Sequence, residues 1–330
     1  MTMTDIMNQP ANDIYDNALI WDNHAGFESR PDIDLSQLNH WRNSGVSFVS
    51  VNVGYDVRPW TNTIHTLAHV RHWIEGHPDD YVLARSVDDI SRARSNGYLA
   101  VSFDIEGMEA LDGNIEMIQF YYDLGVRQML FAYNRNNRAG GGCHDEDMGL
   151  TDFGRSVVTE MNRVGMLVDC SHSAYLTTME AMELSTSPVT FSHSNPKALC
   201  DHPRNITDDQ IRSCAATGGV IGINGIGKFL GDSIDPEHFV DHIAYTANLV
   251  GVQHVGIALD YSDGTDDLQD AITGQSHFWP SEWYGGKIEF MAPNRLMDVV
   301  NIMLRRNYSS EDITAILGGN FLALAQRVWQ

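Results

Sequence analysis

The chain is 330 residues long, 43% hydrophobic and 20% charged, ordinary for a globular protein and long enough to bury a large core. Its 44 acidic residues against 21 basic ones leave a net charge of −23, which argues against nucleic-acid or anionic-membrane binding through a general basic surface. The four cysteines, at 143, 170, 200 and 214, form no C-x-x-C pair, so reduced, structural thiols are expected rather than a thiolate zinc site.

The first eighteen residues are polar and show no basic-then-apolar leader pattern. No apolar run long enough to span a bilayer occurs, and the end, Gln326-Arg-Val-Trp-Gln330, lacks the tail of a lipid-anchor signal. A soluble cytoplasmic protein is the expectation. Short apolar, β-branched-rich runs then predict strands at 19–23, 46–53, 98–105, 127–133, 165–170, 188–192, 218–224 and 255–260. None alternates strictly, as suits strands covered on both faces.

Helices are predicted between them. Asp34 to Asn43 and Thr61 to Glu75 fill the second crossover. Ser86 to Ser95 begins on a polar cap, and Asn114 to Leu124 carries its apolar residues mostly on one stripe. A further helix runs from Thr151 to about Val164. Thr207-Asp-Asp-Gln210 reads as a capping box, and Pro236 as the first turn of a helix to about Val250. Residues 262–292 read as a long loop, and the last fifty residues as extra helices packed on the rest. Eight alternating strands and helices predict one domain, 1–330, of α/β class: a (β/α)8 TIM-type barrel with extra C-terminal helices. An open doubly wound sheet shares the local pattern, but no G-x-G-x-x-G follows the first strand.

Five of these runs end on a metal-binding side chain. They are Leu19-Ile-Trp-Asp-Asn-His24, Tyr98 to Glu106, Asp169-Cys-Ser-His172, Val189-Thr-Phe-Ser-His193 and Val255-Gly-Ile-Ala-Leu-Asp260. A parallel barrel gathers such ends on one face. His172 and His193 close consecutive strands, close enough to share an ion of zinc type. Glu106 can reach the same ion and bridge to a second, held by His24 and Asp260, whose strands become neighbours only if the barrel closes. Asp22, Asp104 and Asp169 either cap helices or orient these ligands. His40, His65, His69, His72 and His77 lie in helical or polar segments and read as ordinary surface residues. Ser171-His172 and Ser192-His193 are a weaker match to a nucleophile–base pair, because neighbours on a strand face opposite ways. Arg138 to Cys143 lacks the ending of a phosphate loop.

Taken together, Asp104-Ile-Glu106-Gly107, Asp169 to His172, Phe191-Ser-His193-Ser194, Arg204-Asn-Ile-Thr-Asp208-Asp209, His254 to Tyr261 and Gly318-Gly-Asn320 resemble the membrane (renal) dipeptidase family of zinc peptidases. The resemblance implies a two-zinc barrel: Glu106 bridging, His172 and His193 on one ion, His24 and Asp260 on the other. It also implies that Arg204 clamps a substrate carboxylate, where the residue alone reads as a surface arginine paired with Asp208 or Asp209. Family members are commonly dimers. The chain departs from the pattern at three places. Gly26 stands where a carboxylate ligand is expected, with Glu28 the nearest substitute. Tyr133 stands where a histidine contacts the scissile carbonyl, and Ile223-Asn224-Gly225-Ile226 replaces an aromatic-bearing run.

The expected activity is hydrolysis of a dipeptide or similar small amide by metal-activated water. Asp260 and Tyr133 act in catalysis, Arg204 and Tyr133 bind substrate, and one or two Zn2+ ions are held. A one-metal amidohydrolase on a non-dipeptide amide and a non-catalytic ligand-binding relative are the rivals. On this reading Gly26→Asp raises the metal content toward two ions per chain.

Overall fold

A computed structural model describes residues 3–263 and 266–330. Among these described residues are nine parallel strands: β1 (Trp21–Ala25), β2 (Phe48–Tyr55), β3 (Tyr81–Leu83), β4 (Leu99–Glu106), β5 (Val126–Leu130), β6 (Leu167–Asp169), β7 (Thr190–Phe191), β8 (Val220–Asn224) and β9 (Val255–Ala258). Eight of them close a ring. β1 pairs with both β2 and β9, and β2 also pairs with β4, from Phe48 opposite Ala100 onward. The expected (β/α)8 barrel is therefore the observed fold, and the open sheet is not. β3 was not anticipated. It is a three-residue strand against Leu99–Val101, on the β4 edge that β5 takes over from Phe103, and so short a run carries no periodicity to read.

The anticipated crossover helices form with the expected caps. Ser86 and Thr207 each close a capping box, with Asp89 and Gln210 respectively, and Pro236 opens Pro236–Val250. Further segments differ from expectation, among them Tyr175–Leu184, a helix not named from the sequence. Met3–Asn17 is helical; among its described side chains Ala11 and Tyr15 are buried, and Tyr15 donates to Ser44 O at 2.6 Å. Residues 262–292 are not simply loop, because Asp266–Gly274 and Ser281–Tyr284 are helices within that stretch.

The end of the barrel away from the site is sealed. Phe321, Leu324, Ala325 and Val328 of helix Asn320–Val328 pack with Trp21, Phe48, Ala100, Leu167 and Val220. Above this apolar layer the interior turns polar: Asn23 Nδ2 donates to Gln128 Oε1 at 3.1 Å, and Gln128 Nε2 donates back to Asn23 O at 2.9 Å. Burying such groups is tolerated because they satisfy one another. The polar layer is the floor of the site.

Candidate metal centre

The strand ends converge as the closed barrel requires. His172 Nε2 lies 3.0 Å from His193 Nε2, and Glu106 Oε1 lies 3.2 Å from each. Donors about 2.0–2.1 Å from one tetrahedral ion stand roughly 3.3 Å apart, so this triangle has the dimensions of a metal site. Glu106 Oε1 is buried and has no hydrogen-bond partner among the described residues, an expensive state for a carboxylate oxygen unless a cation meets it. His24 completes the cluster. Its Nε2 is 3.7 Å from Glu106 Oε1 and 3.4 Å from Asp260 Oδ1. The residues present therefore fit a divalent ion of zinc type.

Local backbone features aim these groups. The β1–β2 register slips by one residue between Asp22 and Ala25, and such an irregularity re-aims the side chain it contains, here His24. His172 and Asp260 sit at φ 61° and 53°. This left-handed conformation costs non-glycine residues of order 1–2 kcal/mol and tends to be kept where a side chain must point one way.

Each imidazole keeps Nε2 toward Glu106 by engaging its other nitrogen. His172 Nδ1 donates to Asn134 Oδ1 at 2.7 Å, and His24 Nδ1 lies 3.2 Å from Asp104 Oδ1. His193 Nδ1 meets Ser192 Oγ at 2.6 Å, while the Ser192 hydroxyl donates to Asp169 Oδ2 at 2.5 Å. Asp169 thus orders His193 through Ser192, leaving the Nε2 lone pair free. Asp104 and Asp169 take the orienting role foreseen as one alternative. Asp22 does not: it accepts from Leu259 N and Trp41 Nε1 and ties β1 to its surroundings. Ser192 and His193 do touch, contrary to the alternation argument, because β7 ends at Phe191. The Ser192 hydroxyl is committed to Asp169, however, and is not poised as a nucleophile. Ser192→Ala is expected to weaken metal affinity about 10- to 100-fold with the fold intact, measured by competition against a metal-binding dye. An unchanged affinity would show the relay to be idle.

Burial, reinforced by the charges of Arg204 and His24, pushes the His172 and His193 pKa values well below the ordinary histidine range. Both rings are neutral and ready to ligate at neutral pH. Burial opposes protonation of His24 too, but Asp104 and Glu106 outweigh it and raise its pKa well above 6.5. An ion taken up at His24 must displace a proton, which costs affinity.

Residues 8–278 match the sequence profile of the membrane dipeptidase family, peptidase family M19. The chain belongs to this family. Among its relatives, dipeptidase aclJ of Aspergillus oryzae is 29% identical over 273 residues, covering 79% of this chain and 60% of that one. The uncharacterized dipeptidase C3A11.10c of Schizosaccharomyces pombe is 30% identical over 261 residues, 76% of this chain and 61% of the relative. The chain thus spans about 60% of the length of these curated relatives. An amidohydrolase from Pseudomonas aeruginosa superposes with a TM-score of 0.88 at 24% identity, over 97% of this chain and 99% of that one. A Rhodobacter sphaeroides metallo peptidase, liganded with a phosphinate mimic of L-Ala-D-Ala, gives 0.77 at 17% identity, over 94% and 99%. These structural likenesses establish the shared fold.

Within the membrane dipeptidase family, the three departures now have a structural description. A Cβ on Gly26 would lie 2.5 Å from Asp260 Oδ1 and 2.9 Å from Asp260 O; Asp260 occupies the room a side chain at 26 needs. Glu28 does not fill the gap. It pairs with Arg58 at 3.0 Å and Arg30 at 3.6 Å. Tyr133 stacks on His172 with ring centroids 4.4 Å apart, and its oxygen accepts from Trp279 Nε1 at 3.2 Å. Asn224, in the altered run, donates to Asp260 Oδ2 at 2.9 Å. Arg204 is buried, with Nη1 donating to Ser194 Oγ at 2.8 Å and Nη2 to His193 O at 2.7 Å. It braces the His193 turn and pairs with neither Asp208 nor Asp209; Asp208 instead accepts from the Tyr245 hydroxyl at 3.0 Å. Asn52, which sequence reasoning passed over, donates to Glu106 Oε2 at 2.8 Å, leaving Oε1 as the oxygen that faces all three imidazoles.

No helix among the described residues is long and apolar enough to cross a membrane.

Proposed function

We propose that the chain hydrolyses a dipeptide or a similar small amide with the help of zinc. The observation that carries this reading is the triangle of His172 Nε2, His193 Nε2 and Glu106 Oε1 at 3.0–3.2 Å, the last with no hydrogen-bond partner among the described residues, set on a face opened by a pocket. When bound there, the ion supplies Lewis acidity, drawing the pKa of water toward 7 and polarising a carbonyl. His172, His193 and Glu106 would hold it, and His24 with Asp260 would hold a second ion if one is taken up.

The remaining chemistry falls to the chain's own groups. Asp260 accepts the proton of the attacking water and returns it to the leaving amine, while its Oδ2 stays fixed by Asn224. Burial raises the Tyr133 pKa well above its usual value, with Glu106 adding to the effect. The phenol therefore keeps its proton and donates it as a hydrogen bond to the carbonyl oxygen as negative charge develops. Arg204 is assigned the substrate's terminal carboxylate; its Nε is buried and has no hydrogen-bond partner among the described residues.

The test is metal content and turnover on protein purified without chelator. Zinc is expected at one ion per chain or more, with release of free amino acids from dipeptides. Chelation should abolish turnover and added zinc restore it. A metal-free protein that hydrolyses dipeptides at full rate would overturn the reading. Zinc with turnover only of another amide would favour the one-metal amidohydrolase.

A further inference from the structure

Resting on that hydrolase reading, we infer that the side group beside the scissile amide is bulky and apolar, and that the chain discriminates against an acidic group there. A pocket opens over the metal face, with Glu106, Tyr133, His172 and Asp260 in its lining. One wall is apolar: Phe229, Ile272, Trp279 and Tyr284 form with Tyr133 a hydrophobic cluster separate from the main core, and Leu268 and Ile288 pack on it. The same lining also includes Glu28, Glu106 and Asp260. Among the described lining residues there is no lysine or arginine. Arg204 and Lys197 line an adjoining cleft that shares His172 with this pocket, and it is in that cleft that the substrate's terminal carboxylate rather than its side group would sit.

The apolar wall is tied down. Trp279 donates to Tyr133 at 3.2 Å, His144 Nε2 meets the Tyr284 hydroxyl at 3.0 Å, Asn134 donates to Phe278 O at 3.0 Å, and Met291 N donates to Gly225 O at 2.9 Å. A wall held at both ends to the barrel presents a fixed apolar surface. Burying a leucine- or phenylalanine-sized group against it is worth roughly 10- to 100-fold in affinity over no side chain. A carboxylate placed against that wall loses its water and finds no lysine or arginine among the described lining residues to pair with, so its burial there is unfavourable.

The experiment measures kcat/KM of the zinc-loaded protein for Xaa-Gly and Gly-Xaa dipeptides, with Xaa as Leu, Phe, Gly or Glu. In the better-cleaved series Leu and Phe should exceed Gly by about 10- to 100-fold, with Glu below Gly. Ile272→Lys should reverse the order by lowering Leu and Phe and raising Glu. Ile288→Lys, at a half-buried position of the same wall, serves where the first variant does not fold. Hydrolysis with Gly or Glu equal to or better than Leu and Phe in both series overturns the inference and leaves the hydrolase reading standing. Absence of any hydrolysis overturns the hydrolase reading. Calorimetric binding of the same dipeptides then decides the pocket: Leu and Phe compounds binding no tighter than Gly or Glu would overturn the inference by itself.

Discussion

Replacing His172 with alanine is expected to strip the protein of zinc and abolish amide turnover while leaving the barrel folded. The ring supplies one corner of a three-donor triangle whose edges are 3.0 and 3.2 Å. Removing an outer partner of a ligand costs about 10- to 100-fold in metal affinity, so losing the ligand itself should cost more. The same change leaves Asn134 Oδ1 without its 2.7 Å donor and Tyr133 without the ring it stacks on. Circular dichroism checks the fold, elemental analysis the metal, and dipeptide hydrolysis the chemistry. Wild-type turnover by a zinc-free His172→Ala protein would sink the proposed mechanism.

Gly26→Asp is the second large effect, and the structure reverses the direction that family likeness alone suggests. The new Cβ meets Asp260 Oδ1 at 2.5 Å and the Asp260 carbonyl oxygen at 2.9 Å. The two strand ends cannot easily part. Asp260 N donates to His24 O at 3.0 Å, and Gly26 N donates to Tyr261 O at 3.1 Å. Overpacking at such a seam costs about 1–3 kcal/mol, and the Asp260 carboxylate must swing away from His24. Zinc per chain is expected to stay the same or fall, and turnover to fall at least tenfold, the lower end of the loss seen when a metal site's supports are disturbed. Gly26→Ala should act in the same direction, which separates steric displacement from added charge. A Gly26→Asp protein that gains a second zinc and keeps its turnover would refute this account.

The residues that gather at the metal face were legible because a buried parallel strand ends abruptly in sequence. An apolar run that stops on His24, Glu106 or Asp260 announces both a strand end and a polar group at one face. His172 and His193 were legible for the same reason, although their strands shrink to Leu167–Asp169 and Thr190–Phe191. Less legible were the groups that orient them. Asn52, Asn134, Ser192 and Asn224 are common residue types with no spacing rule, and each acquires meaning only through the partner that barrel closure sets beside it. The three-residue β3 and the helices inside 262–292 stayed hidden, since short elements carry too few residues to display a period. The helix Met3–Asn17 escaped for a different reason: its described anchors, Ala11 and Tyr15, are few, and the sequence around them is polar.

What sequence alone determined is the order of strands and helices and the chemistry delivered at five strand ends, because burial on both faces and the placement of one polar residue are local properties of the chain. Only the tertiary structure decided that Asp260 fills the space beside Gly26, that Glu28 serves Arg58 and Arg30, and that Arg204 is braced against Ser194 and His193. Those outcomes depend on distances between segments far apart in the chain, where a few tenths of an ångström separate a ligand from a clash, and no local pattern encodes a distance of that kind.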